Sequence, residues 1–136
     1  MSLHPPRPRV LAVNTDIGVL ELLAAALGAA GYEPITMRLA DLNTEGGLLP
    51  YAMRVLPDAI VYDVGPPYVE NWERLQGVLA SGAISVPVIV TSTDPQALAP
   101  HAKTSSVFAL VGKPFELEQL TGCLREALDH AGPPAG

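Results

Sequence analysis

Three residues stand where short apolar runs end: Asp63 after AIVY, Ser92 after VPVIVT and Lys113 after VFALVG. If those runs are neighbouring strands of a parallel sheet, a carboxylate, a hydroxyl and an ammonium converge at its carboxyl edge, where α/β proteins bind their ligands. Together they could handle a phosphoryl group: the carboxylate accepts it, the hydroxyl hydrogen-bonds one of its oxygens, and the ammonium neutralises its charge. Each also has an ordinary structural reading. Asp63 could cap the following loop, Ser92 could satisfy a backbone group, and Lys113 could be solvated. A fourth stretch, Asn14-Thr15-Asp16, closes another apolar run and belongs at the same edge.

Positioning these groups takes strands and crossovers. Val- and Ile-rich runs at Arg9–Asn14, Pro34–Leu39, Ala59–Val64, Val86–Ser92 and Val107–Val111 read as five buried strands. Between them lie helical patterns. In Ile17–Ala30 the residues Leu20, Leu23, Leu27 and Ala30 share a face, Asp16 is placed to cap the start, and Gly31 sits where a glycine ends a helix. In Phe115–Ala131 Leu117, Leu120, Leu124 and Leu128 form a stripe. Gly46–Leu56 is expected to start late, near Leu49, because of Gly46, Gly47 and Pro50. Tyr68–Ser81 is expected to bury Trp72 against the core. Pro100 should break or distort a helix over Pro95–Lys103.

Strands alternating with helices give an α/β fold of (βα)5 type, a doubly wound parallel sheet with the flavodoxin-like order 2-1-3-4-5. Its crevice falls between the ends of the first and third strands, at Asn14–Asp16 and Asp63. One domain over 9–130 is expected, with a flexible lead at 1–8 and a flexible tail at 131–136.

Bulk properties narrow the function. A net charge of −6, with eight Lys and Arg scattered along the chain, argues against a nucleic-acid surface. No apolar run reaches the roughly 18 to 20 residues that span a bilayer, and MSLHPPRPR lacks a signal-peptide core. Membrane insertion and secretion are therefore not expected, and a cytoplasmic location is. The one cysteine, Cys123, falls within the last helix and reads as a small core residue.

The ordered segments resemble a known family. RVLAVNTDIGVLELLAAALGAAGYEP is similar to the opening of a response-regulator receiver domain of two-component signalling. PDAIVYDVGPP resembles its phosphoacceptor segment, VPVIVTST its fourth strand, and VGKPFELEQLTGCLREAL its Lys-Pro-Phe segment and last helix. The likeness covers nearly all of residues 9 to 129. It makes Asp63 the counterpart of the phosphorylated aspartate, Ser92 of the switch hydroxyl and Lys113 of the phosphate-sensing lysine. It also implies a metal-ligand carbonyl at Gly65 and a cis peptide before Pro114.

Departures from the family pattern are equally specific. Receivers carry two acidic residues at the end of the first strand to hold Mg²⁺, and Asn14 and Thr15 stand there instead, with Asp16 assigned to the helix cap. Each missing carboxylate removes about 4 kcal/mol of gross attraction per unit charge at about 4 Å and an effective dielectric near 20. Little or no Mg²⁺ binding is expected, and no other cofactor. Leu110 occupies the place where the family often has Tyr or Phe, with Phe108 two residues earlier on the same face. An Asp63–Lys113 ion pair without a metal follows as an expectation.

Two functions therefore compete. One is a degenerate pseudo-receiver that acts as a phosphorylation-independent interaction module. The other is a response regulator phosphorylated on Asp63 by a histidine kinase's phosphohistidine. A flavodoxin-like enzyme or nucleotide binder is a remote third, because the chain has no GxGxxG, no P-loop and no Ser-His-Asp arrangement, and His4, His101 and His130 fall in a tail, a helix and a helix end, where no shared metal site is expected. No enzymatic activity is expected. Output is expected through a histidine kinase, a downstream effector, a domain outside this chain, or self-association on the face of the fourth and fifth helices and the fifth strand.

Overall fold

A computed structural model describes residues 7–102, 107–113 and 116–130. Its strands are β1 (Arg9–Asn14), β2 (Glu33–Arg38), β3 (Ala59–Asp63), β4 (Val88–Ser92) and β5 (Ala109–Gly112). The helices are α1 (Ile17–Ala29), α2 (Leu39–Thr44), α3 (Leu48–Val55), α4 (Tyr68–Leu79), α5 (Pro95–Ala102) and α6 (Leu117–His130). All strands pair in parallel in the order β2-β1-β3-β4-β5, the flavodoxin-like arrangement.

Side chains alternate between two apolar layers, as the pleat of a strand requires. Leu11 and Val13 of β1, Ile60 of β3 and Val88 and Val90 of β4 face a layer that includes Trp72 and Leu75 of α4 and Leu98 of α5. Val10 and Ala12, Ala59 and Val61, Ile89 and Val111 face the opposite layer, with Leu20, Leu23 and Leu27 of α1 and Leu120 and Leu124 of α6. Both faces of the sheet are covered, which explains why its strands read as nearly continuous apolar runs. Trp72 is buried core, and Cys123 packs at the margin of the second layer, where burial first and then Glu126 push its thiol above the ordinary range.

Helix α1 begins and ends on the expected residues. The Asp16 carboxylate accepts the N–H groups of Gly18 and Val19 at 2.8 and 3.4 Å. At the other end Gly31 adopts φ +95°, and Tyr32 N–H closes onto the Leu27 carbonyl at 2.9 Å.

Two expectations about the helices are corrected. Among the described residues six helices are present rather than five, because Leu39 opens α2 instead of ending β2. The exposed pair Arg38–Asp41, at 3.1 Å, bridges the start of that turn while Leu42 is buried beneath it. Pro100 does not break α5, which continues to Ala102. Only the bond to the carbonyl of exposed Gln96 is forfeited, and Leu98 stays buried against the sheet. The tail 131–136, Pro114 and most of the lead lie outside the described residues; among those described, the cis peptide bond is Pro66–Pro67.

Candidate functional site

At the carboxyl edge the register decides which side chains meet. Asp63 is the Cα partner of Thr91, and Thr91 is the partner of Val111, two residues before Lys113. Asn14 lies one step beyond the last β1–β3 pair, Val13–Tyr62, at the height of Asp63. By alternation Asn14, Asp63, Thr91 and Lys113 all continue the face packed against α1 and α6.

The Lys113 ammonium lies 2.7 Å from Oδ1 of Asp63. Thr91 Oγ1 donates to the same oxygen, also at 2.7 Å. The Asp63 side chain is only 9% exposed and that of Lys113 20%, so the pair is largely withdrawn from water. Hydrogen bonds to a charged acceptor are worth roughly 1.5–3 kcal/mol each, and a buried carboxylate deprived of them is costly. A backbone bond fixes the lysine's approach: Lys113 N–H donates to the Ser92 carbonyl at 2.7 Å. Gly112 lets α5 come close at this point, since a Cβ there would lie 2.7 Å from Pro95 Cγ.

Ser92 does not contact Asp63 here. Its side chain has the parity of Val88 and Val90, on the sheet face opposite Asp63, and it is fully buried. Its Oγ accepts the Asp94 N–H at 3.1 Å, turning the chain into α5. Thr91 supplies the hydroxyl that reaches Asp63. Both residues stand side by side in the sequence, and counting in twos from Ile89 would have put Thr91 on the face of Val61 and Asp63 had the β3–β4 register been known.

The first-strand residues are occupied locally. Buried Asn14 accepts the Asp16 N–H on Oδ1 at 2.9 Å, Thr15 is exposed, and Asp16 caps α1. The Gly65 carbonyl accepts an N–H of the Asn71 side chain at 2.9 Å. Above it, the Tyr68 hydroxyl and Thr93 Oγ1 meet at 2.7 Å, linking the start of α4 to the loop after β4. Beside the site, burial pushes the Tyr62 phenol above its ordinary range; Arg74 opposes the shift and Asp63 adds to it. Leu110 packs inward against the α4–α5 layer while Phe108 is exposed. Among the described residues no three His, Cys, Asp or Glu side chains are grouped as metal ligands, and no helix is long and apolar enough to cross a membrane.

No protein-family model matches the sequence, and no curated protein matches it. Solved structures do. The chemotaxis protein CheY4 of Vibrio cholerae is 26% identical over 89% of this chain and 98% of its own, with a TM-score of 0.70. A response regulator receiver protein from Burkholderia phymatum is 25% identical over 90% and 96%, with a TM-score of 0.71. The signal receiver domain of a protein assigned as Luxo repressor in Vibrio parahaemolyticus superposes at a TM-score of 0.76, covering 92% of each chain at 19% identity. The fold is that of a response-regulator receiver domain. In receiver terms, the Asp63 corner holds an aspartate and a lysine at the ends of β3 and β5, with a threonine from within β4 between them.

Proposed function

We propose that the chain is a receiver-type signalling domain of two-component systems that works as a phosphorylation-independent, cytoplasmic interaction module. The observation that carries this reading is the double engagement of Asp63 Oδ1 by Lys113 and Thr91, both at 2.7 Å, in a largely buried corner with no second carboxylate at the end of β1. An octahedral Mg²⁺ wants carboxylates and open oxygens. Here Asn14 offers an amide whose oxygen already accepts a backbone N–H, Thr15 points no acid at the corner, and the Gly65 carbonyl is shared with Asn71. That donor set does not suit Mg²⁺. Without the ion, an incoming phosphoryl group would add negative charge where Lys113 is already ion-paired to Asp63. Partners of such a module are signalling proteins, a histidine kinase or a downstream effector, engaged through surface contacts rather than through a phosphorylation switch.

The test is intact-mass spectrometry after incubation with acetyl phosphate or phosphoramidate across millimolar Mg²⁺. The expected spectrum shows the unmodified chain. A stoichiometric phosphoryl adduct that disappears in Asp63→Asn would establish the competing reading, a phosphorylated response regulator.

A further inference from the structure

A parallel sheet gathers the starts of its strands at one edge, and here that edge is apolar and uncovered. Pro57 and Asp58 lead into β3, Ser85 to Pro87 into β4, and Phe108 into β5. Two cavities of about 400 and 260 Å³ open among them and share Ile84, Ser85 and Val86 as a common wall. Beside the larger one, Met53 and Leu56 are 63% and 67% exposed. Leu56 is the more telling of the two. It holds φ +52° immediately before Pro57, a left-handed backbone that branched side chains rarely adopt and that a following proline disfavours further. Glycine would hold this corner at lower cost, so a leucine here points to use of its side chain.

The rim also carries a carboxylate, Asp58, with no ion-pair partner among the described residues. Asp58 accepts the backbone N–H of Arg9 at 2.8 Å, but among the described residues no Lys, Arg or His side chain comes within 4.0 Å of its carboxylate. The guanidinium groups of Arg9 and Arg54 are engaged elsewhere, and the His130 ring, which lines the smaller cavity, lies 6.1 Å from that of Phe108. Arg9 pairs with Glu33 and donates to the Val55 carbonyl, and Arg54 pairs with Glu45. An apolar floor beside an uncompensated carboxylate, on a chain of net charge −6, suits an apolar ligand that carries positive charge.

We propose that this edge is a docking groove for a basic amphipathic helix of a partner protein. Apolar side chains of the helix at i and i+3 or i+4 enter the adjoining cavities against Leu56 and Met53, and a Lys or Arg pairs with Asp58. The groove lies at the end of the sheet opposite Asp63, so docking stands whether or not Asp63 accepts a phosphoryl group.

A fluorescein-labelled model helix of about 16 residues, with Leu at i, i+3, i+4 and i+7 and Lys elsewhere, serves as the probe for fluorescence anisotropy with the full chain. A counterpart with Glu in place of Lys serves as the charge control. The expected Kd for the Lys peptide is on the order of 10 to 100 µM. Leu56→Gly should weaken it about tenfold without changing the circular dichroism, because glycine accepts the same backbone angle. Asp58→Asn, which keeps an acceptor for Arg9 N–H, should weaken it about threefold and flatten its salt dependence. Leu22→Ser, an exposed change on α1, should leave it unchanged. Amide chemical-shift changes should fall at 52–58 and 83–86. Equal binding of the two peptides, equal binding by Leu56→Gly, shifts confined to 14–16 and 63, or no binding up to about 1 mM would each overturn the proposal.

Discussion

The two ends of the sheet are built on opposite terms. At the carboxyl end the charged and polar groups close on one another: Lys113 and Thr91 meet on Asp63, Asn71 takes the Gly65 carbonyl, and Asn14 takes the Asp16 N–H. At the amino end Met53, Leu56 and Phe108 stand in solvent around open cavities, with Asp58 lacking an ion-pair partner among the described residues. In a receiver fold the first end is where a chemical signal would be read. Here the polar groups of that end are internally satisfied, although Ile17 and Val69 are exposed beside them, and the carboxylate without an ion-pair partner borders the cavities of the other. Groups already paired within the chain have little left to offer a ligand, whereas exposed apolar area and an unpaired charge gain by being covered.

Breaking the closed end should have the largest effect. Lys113→Ala leaves Asp63 buried without its cation and should cost about 3 kcal/mol in urea unfolding; adding Asp63→Asn should recover much of that loss. A Lys113→Ala chain as stable as the parent would mean that the pair is not closed in solution. Thr91→Val keeps shape but removes one of the two donors to Oδ1, and a loss of about 2 kcal/mol is expected. Ser92→Ala should cost less, because that hydroxyl serves a turn; a reversed order of the two would return the role at Asp63 to Ser92.

At the open end the sign reverses. Leu56→Gly removes an exposed apolar side chain and relieves a left-handed backbone, so the chain should gain about 1 kcal/mol, readable as a higher melting temperature. Destabilisation instead would show that Leu56 supports the fold rather than its surface. The smallest effect concerns pH. The Tyr62 phenol is raised above its ordinary value near 10, so the folded chain holds its proton where the unfolded chain has released it. This contribution is fully present below pH 10 and fades as pH climbs through the raised native value. The midpoint difference between the parent chain and Tyr62→Phe, followed from pH 9 to 11, should report it.

Much of the architecture was legible in the residues. Strand β1 and the start of α1 follow from an apolar run, a polar break and a capping aspartate, since these signals are local and depend on hydrogen bonds within a few residues. The α2 turn was not legible, because Leu39 and Leu42 suit a strand end or a helix equally until burial under the neighbouring layer selects one. Pro100 misled for a related reason: tertiary packing of Leu98 outweighs one lost hydrogen bond.

By itself the sequence determined the order of the five strands and the identity of the residues that follow them, Asn14-Thr15-Asp16 at the end of β1 among them. Hydrophobic period and capping chemistry are properties of the chain read a few residues at a time. Tertiary structure alone decided that Thr91 rather than Ser92 meets Asp63, that Lys113 reaches the same oxygen, and that Leu56 and Phe108 border one open edge. Each depends on strand register, where a shift of a single residue turns every side chain to the other face of the sheet.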